Sequence, residues 1–455
     1  MKRLIFVSFA LGVVALAAAL QACATAQPAS APPAAAVVEQ PAPSAPVVVN
    51  SQPQSSEATV PQQPNAAVKP ERWPDETFFV RASSGLVAYN MANGQQRFTM
   101  PSGLMSADGK AYFAAQPHPY ANQPQTVVTA FAPNSGIARD KFTIAGRWDL
   151  SGVSYTGRWL ALTRAPSDAE KAAWTKAKQW HTDIQVVDTT NGKVAHTLKL
   201  DGNFEVETIA PDSYSLFLVE HLPAVNPDHY LIRLYDLYTE KLQPGALRDK
   251  LATDEVMAGL AWDGVASPDG HWLLTLYLST QRNTAFVHTL DLYNKYPVCI
   301  DLPSGSGDFS VLKQYTLALS PSGTKLYAAN ATLGVVAQID MNSRQVSRTD
   351  RFAASSYATP RAANPQTQLA RNVMAKDGSR LYFTSGWDVW AYDPISGKVD
   401  GPFLSNAPIA GLALSGDGKR LTIATAAGAL AVYDTATGAA LKFPQATARV
   451  SRSAE

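Results

Sequence analysis

An all-β fold, a β-propeller of four-stranded blades, is what this sequence predicts, and three observations carry the prediction. The chain holds 31 Pro and 28 Gly, which punctuate it with turns and leave little room for long helices. A turn of the Ser-Pro-Asp-Gly type, followed each time by an apolar strand, occurs seven times. Between these turns runs a second signature, an apolar strand that ends in Asp and is often closed by a Gly a few residues later.

The first signature appears as Ser106-Ala107-Asp108-Gly109, Ser154-Tyr155-Thr156-Gly157, Ala210-Pro211-Asp212-Ser213 and Ser267-Pro268-Asp269-Gly270. It continues as Ser320-Pro321-Ser322-Gly323, Ala375-Lys376-Asp377-Gly378 and Ser415-Gly416-Asp417-Gly418. Successive copies end 40 to 57 residues apart, which suits one four-stranded unit per repeat. The second signature is clearest at Asp188 to Gly192, Asp393 to Gly397 and Asp434 to Gly438. Degenerate copies end at Asp236, Asp291 and Asp340, and Tyr89-Asn90 through Gly94 opens the series. Asp at the first position of a turn bonds the backbone two residues on, and Gly supplies a positive φ. These Asp residues are therefore turn formers, not calcium ligands. Alternation in Leu317-Ala318-Leu319 and in Lys325 through Ala329 marks strands.

Each unit thus reads strand, Asp-Gly turn, strand, variable loop, strand, Asp turn, strand, and radial repetition of such sheets makes a propeller. Seven full units run from about Leu104 to Phe443. Phe78 to Val80, Leu86 to Tyr89 and Arg97 to Thr99 supply the last three strands of a partial unit. Ala446 to Ser451 could donate its missing inner strand, so eight blades are favoured over seven.

The propeller domain spans residues 71–451, with a short tail at 452–455. Ahead of it lies an export signal. Met1-Lys2-Arg3 is a positive n-region, and Leu4 to Leu20 is apolar except for Ser8 and Gly12. Leu20-Gln21-Ala22-Cys23 resembles a bacterial lipobox. That resemblance implies cleavage after residue 22, a diacylglycerol on Cys23, and attachment to a membrane of the cell envelope outside the cytoplasm. Residues 24–70 hold ten Pro and twelve Ala among 47 residues, with Glu39, Glu57 and Lys69 the only charges. Such a stretch buries too little to offset its ordering entropy and reads as a disordered tether. As a coil it reaches on the order of 40 Å, and roughly 100 Å when stretched.

Charge and cysteine content exclude several classes. Lys plus Arg number 38 and Asp plus Glu 37, a balance that argues against a nucleic-acid binder. The two cysteines, Cys23 and Cys299, exclude a disulfide framework, and Cys299 in an apolar strand reads as a buried, inert thiol.

On Ala266-Ser267-Pro268-Asp269-Gly270-His271-Trp272-Leu273-Leu274 and on Leu319 through Asn330, residues 71–443 resemble bacterial YVTN/WD40-like propellers of seven to eight blades. Exported lipoproteins of unassigned role are among these. The resemblance implies fold, not chemistry. Quinoprotein-type propellers carry a Trp shortly after the Thr-Gly turn, and none follows Gly192, Gly397 or Gly438. The His-rich pattern of copper propellers is also missing.

Loop lengths distinguish the two faces. The long segments 116–125, 164–182 and 221–229 join second to third strands, and 243–261, 302–313 and 352–369 join one blade to the next. All six emerge on the same face, which is the expected binding face. Its candidates are Tyr120, Trp174, Trp180, His221, His229, Trp262 and Arg361, with His118, Asp228, Asp254, Glu255 and Asp308 nearby. Ser167-Asp168-Ala169-Glu170 resembles a capping box, so a helix should follow it, with Trp174 and Trp180 on separate faces. His221 and His229 lie eight residues apart, which is no metal motif.

No catalytic motif stands out, and no cofactor is implied. The leading expectation is a monomeric, lipid-anchored envelope protein whose long-loop face binds a protein or glycan partner. The alternatives are a lactonase-like hydrolase, for which Glu205, Glu207 and Glu220 could reach a central metal, and an accessory subunit of an envelope assembly machine. Mass spectrometry of the mature protein should find Cys23 at its N-terminus carrying a diacylglycerol, and Cys23→Ser should abolish that mass. An unmodified N-terminus elsewhere would overturn the anchor.

Overall fold

The computed structural model describes residues 73, 75–82, 85–118, 123–249, 256–305, 308–354, 371–404 and 407–444. The signal, Cys23, the tether and Ala446 to Ser451 lie outside the described residues, as do Tyr120, Asp254, Glu255 and Arg361.

Eight antiparallel sheets follow one another along the chain. Blade 1 holds β1 (Thr77–Ala82), β2 (Gly85–Asn90) and β3 (Gln96–Met100). Blade 2 holds β4 (Leu104–Met105), β5 (Tyr112–Pro117), β6 (Gln125–Phe131) and β7 (Ala138–Ala145). Blade 3 has β8 (Trp148–Val153), β9 (Trp159–Arg164), β10 (His181–Asp188) and β11 (Lys193–Asp201), with α1 (Asp168–Ala177) inserted before β10. Blade 4 has β12 (Asn203–Ile209), β13 (Ser215–Leu222), β14 (His229–Asp236) and β15 (Lys241–Leu242). Blade 5 comprises β16 (Leu260–Ala266), β17 (Trp272–Ser279), β18 (Thr284–Asp291) and β19 (Tyr296–Asp301). After α2 (Phe309–Leu312), blade 6 comprises β20 (Thr316–Leu319), β21 (Lys325–Asn330), β22 (Val335–Asp340) and β23 (Gln345–Arg351). Blade 7 contains β24 (Asn372–Met374), β25 (Leu381–Thr384), β26 (Asp388–Tyr392) and β27 (Val399–Leu404). Blade 8 contains β28 (Ile409–Leu414), β29 (Arg420–Thr425), β30 (Leu430–Asp434) and β31 (Ala440–Leu441).

Inner strands of neighbouring blades lie side by side, β4 by β8, β8 by β12, β16 by β20, β20 by β24 and β24 by β28, and blades 4 and 5 meet through a shared apolar seam. The ring closes where β28 meets β1. The domain is an eight-bladed β-propeller. Apolar side chains fill the seams between blades, as where Phe217, Tyr230 and Ile232 of blade 4 meet Tyr277, Phe286 and Leu290 of blade 5. Register identifies the partial unit. The Met91 N–H bonds the Glu76 carbonyl just as Leu237 bonds Tyr214 in blade 4, so β1 is a second strand like β13. Among the described residues, blade 1 therefore holds its second, third and fourth strands.

All seven Asp-Gly-type turns close in the same way. The N–H of the fourth residue bonds the first carbonyl, from Gly109 to Ser106 at 2.8 Å through Gly418 to Ser415 at 2.8 Å. Where the first residue is Ser, its hydroxyl accepts the N–H five residues on, as Ser267 accepts Trp272 at 2.8 Å and Ser415 accepts Arg420 at 3.0 Å. The Asp residues of the second signature also act as turn formers. Asp434 accepts the N–H groups of Ala436 and Thr437, and Asp340 those of Asn342 and Ser343.

The short turns also interlock around the axis. The Tyr155 hydroxyl of blade 3 bonds the Pro268 carbonyl of blade 5 at 2.5 Å, so the turns of two non-adjacent blades are tied together. Gly270 has φ +73°, and a Cβ there would lie 2.7 Å from the Tyr155 ring, whereas a Cβ on Gly418, also at φ +73°, would meet nothing within 4 Å. The left-handed backbone costs an alanine about 1 kcal/mol at either site. Gly270→Ala should lose roughly a further 1–2 kcal/mol from the forced displacement of Tyr155. Urea denaturation of the two variants checks this, and equal losses would show that the turns do not interlock.

Candidate functional site

The expected long-loop face exists, and its described connections include both helices. Ser167 caps α1, with the reciprocal Ser167 and Glu170 bonds of a capping box. No residue of α1 is buried, so the helix lies on the surface. Arg164 ties it down, pairing with Glu170 at 2.8 Å and with Asp183 at 2.6 Å.

Several candidates sit differently from expectation. Trp180 is not on the helix, because the backbone turns left-handed at Lys178 (φ 54°). It folds back so that its ring meets Trp174 edge-on at 5.2 Å, and both are half-buried. Trp262 lies within β16, not in a loop, and its indole N–H donates to the Lys313 carbonyl at 2.9 Å beside Phe309. Asp308 caps α2 by accepting from Ser310 and Val311. His221 and His229 belong to β13 and β14, because the pairing of Leu222 with His229 carries that hairpin further than the prolines suggest. Cys299 is half-buried, not buried, with its Sγ 3.7 Å from Nδ1 of His288. Burial pushes the His288 imidazole down to about 4, against the Asp249 carboxylate. A neutral imidazole does not promote thiolate formation, so the thiol gains no activation from it.

Two of the expected histidines do come together. A pocket of about 280 Å³ opens on this face between blades 4 and 5, lined by His221, Asp228, His229, Tyr230, Ser279 and Gln281 among others. Asp228 holds the His229 Nδ1 at 2.5 Å, and Glu205 holds the His221 Nε2 at 3.3 Å. Below the pocket, Tyr230 stacks on Tyr277 at 4.8 Å.

Glu205 belongs to the inner strand β12, and it connects the pocket to a polar stretch of the channel. Glu207, two residues along, sits at a β-bulge where Val206 pairs with Leu218 and Thr208 with Phe217. The bulge turns its carboxyl toward Thr275 of blade 5, whose hydroxyl donates to it at 3.1 Å. Burial, and then the Glu205 carboxylate, pushes Glu207 up to about 7. Asp263 of β16 is also pushed up to about 7 by burial, although Arg371 and the N–H groups of Gly264 and Leu317 favour its ionised form. Burial lowers the Arg371 guanidinium, whose Nε donates to the Ala410 carbonyl at 3.2 Å. Inner strands of blades 4 and 5 thus carry buried carboxyls, and Arg371 answers one of them, Asp263, from blade 7.

Asp263 and Arg371 were not foreseen. A charge inside the apolar run Ala261-Trp262-Asp263-Gly264-Val265 was the available signal. Of the three glutamates considered for a central metal, each has another partner: His221 for Glu205, Thr275 for Glu207 and Arg233 for Glu220. Among the described residues, no three His, Cys, Asp or Glu side chains converge as a metal site would need.

No family model matches the chain, and no curated protein matches it. Solved structures do. A dihydro-heme d1 dehydrogenase, NirN, is similar at 15% identity with a TM-score of 0.50, covering 84% of this chain and 75% of that one. Hydrazine synthase of Kuenenia stuttgartiensis aligns at 14% identity and TM-score 0.40, covering 73% of this chain and 94% of that one. A 6-phosphogluconolactonase-like protein of Bacteroides uniformis gives 14% and 0.39, with the same 73% and 94% coverage. At these identities the likeness concerns the propeller fold alone.

The raised Glu207 carboxyl has a consequence for stability. Its folded value, about 7, lies above the 4.5 of an exposed glutamate, so the protonated form favours folding. That contribution is full below pH 4.5 and is lost as the pH rises to about 7. Glu207→Gln should remove the loss and gain up to about 3 kcal/mol relative to wild type between pH 4 and pH 8. Urea denaturation at both pH values checks it; a difference independent of pH would show that Glu207 does not titrate in this window.

Proposed function

We propose that this protein is a lipid-anchored component of a bacterial envelope, exported and tethered through Cys23, that displays its propeller as a binding module for a protein or glycan partner. The partner meets the long-loop face. The asymmetry of the two ends of the ring supports this reading: the elaborated connections and the His221–His229 pocket share one face, while the other is built of interlocked short turns. The chain also enters the propeller on the short-turn side, where Glu76 accepts the Gly416 N–H at 2.7 Å.

Binding energy on such a face concentrates in a few aromatic and polar anchors. Trp180→Ala, His229→Ala and Gln281→Ala alter half-buried or exposed side chains, so each should melt within about 2 °C of wild type. Combined, they should reduce recovery of partners crosslinked in intact envelopes by roughly tenfold or more. Unchanged recovery, with loss instead on Lys376→Glu and Asp377→Lys of the short-turn face, would place the working surface on the wrong side.

A further inference from the structure

We propose that the short-turn face of blades 4 to 6 carries a second binding surface, a groove for an uncharged polysaccharide of flat, equatorially substituted pyranose units. The proposal is independent of the long-loop face.

Three tyrosines motivate it. Tyr214, Tyr238 and Tyr293 are 59%, 81% and 52% exposed, the most exposed aromatic side chains among the described residues. All three lie on the short turns of two adjacent blades. The turns do not require them. Tyr238 and Tyr293 each stand two residues after the turn-forming Asp and donate only a backbone N–H to it. Thr190, Asn342, Ile395 and Ala436 fill the same position in other blades and make the same bond. The rings are therefore free of the fold's demands and turned to solvent.

Contacts join them into one strip. Tyr214 meets Tyr238 edge-on at 6.3 Å, and Asp212 of blade 4 pairs with Lys295 of blade 5 at 3.7 Å. Tyr293 meets the His271 ring at 4.9 Å, and His271 stacks on Trp272 at 5.0 Å with an interplanar angle of 6°. Beyond Trp272, toward blade 6, opens a hollow of about 440 Å³ lined by Asp269, Ser322, Thr324, Asn342 and Arg344. Aromatic planes thus lead into a depression furnished with hydroxyl, amide, carboxylate and guanidinium groups.

Chemistry selects the occupant. The basic side chains here are Lys295, paired with Asp212, and Arg344, which lies against Trp272 and donates from Nη1 to the Tyr296 hydroxyl at 2.9 Å while its Nε has no partner; the His271 ring bonds Asp291 at 2.9 Å. A polyphosphate or nucleic acid needs a cluster of unpaired Lys and Arg, and this strip offers the Arg344 guanidinium alone. A peptide adding to a sheet needs an open strand edge, and this face presents turns whose backbone groups bond each other. A pyranose with equatorial substituents has flat C–H faces for the tyrosine rings and a rim of hydroxyls for the Asn, Ser and Thr side chains.

Isothermal titration of the full-length protein in detergent with cellohexaose and with chitohexaose tests the proposal. At least one should bind with a submillimolar Kd. The triple variant Tyr214→Ala, Tyr238→Ala, Tyr293→Ala should weaken binding roughly tenfold or more at an unchanged melting temperature, and Asn342→Ala should weaken it several-fold. His229→Ala with Gln281→Ala on the opposite face should bind like wild type, which keeps this test separate from that of the long-loop face. Absence of binding to both hexasaccharides, or wild-type affinity in the triple variant, would overturn the groove. So would a concentration-dependent dimer that the triple variant abolishes without any saccharide binding, since it would assign the strip to a second copy of the chain.

Discussion

The bond from the fourth N–H to the first carbonyl of each Asp-Gly-type turn is the interaction on which this architecture rests. It sets the register between the first two strands of a blade, and because strand side chains alternate with period 2, a slip of one residue would turn every core side chain outward. A second lock, the Ser hydroxyl accepting the N–H five residues on, holds the same register in blades 2, 3, 5, 6 and 8. Blade 4 replaces it with Asp212, which accepts the N–H groups of Tyr214 and Ser215. Once the first pair is registered, the hairpin to the third strand and the Asp turn to the fourth follow. Each seam then depends only on its two neighbours.

That constraint explains why the two faces differ in kind. A turn whose backbone is fully engaged has no spare length, so chain can be added only at the opposite end, and there it is added freely. Helix α1 enters between β9 and β10 without burying one of its residues or disturbing the pairing of Thr163 with Ile184. On the short-turn face the backbone is fixed but particular side chains are not. The second residue after each Asp points outward whatever its identity, which is why Tyr238 and Ile395 can stand 81% and 86% exposed on equivalent turns. One face varies by insertion and the other by substitution.

The same distinction decides what could be read from the sequence. Turns were legible because their chemistry is local: Ser, Asp and Gly at fixed offsets need no knowledge of the rest of the chain. The capping box at Ser167 was legible for the same reason. Trp180 was misplaced because the helix stops at a left-handed Lys178 rather than at the Gly or Asn that usually marks such a stop. Trp262 was misplaced because β16 begins at Leu260, so the residue falls inside a strand. The bulges at Ser151, Glu207, Trp262 and Ala410 were invisible. A single extra residue in a strand of six or seven leaves too little alternation to register the change. Nor can any local pattern reveal that Asp263 and Arg371, more than a hundred residues apart, share one channel.

The buried carboxyls of that channel work against stability, and this sets them apart from the rest of the core. Taking a carboxylate out of water costs several kcal/mol unless partners compensate, and apolar residues of similar volume would do at least as well. The seams already show how apolar packing fills such space, with Leu216, Leu218 and Val206 fully buried beside Glu207. Glu207 and Asp263 are nonetheless held near 7 by burial, where a proton is gained or lost at little cost. Glu205 joins this region to the surface. It holds His221 in the wall of the long-loop pocket, and its charge is the one that raises Glu207 further. Through one residue on one inner strand, the pocket and the channel share an electric field.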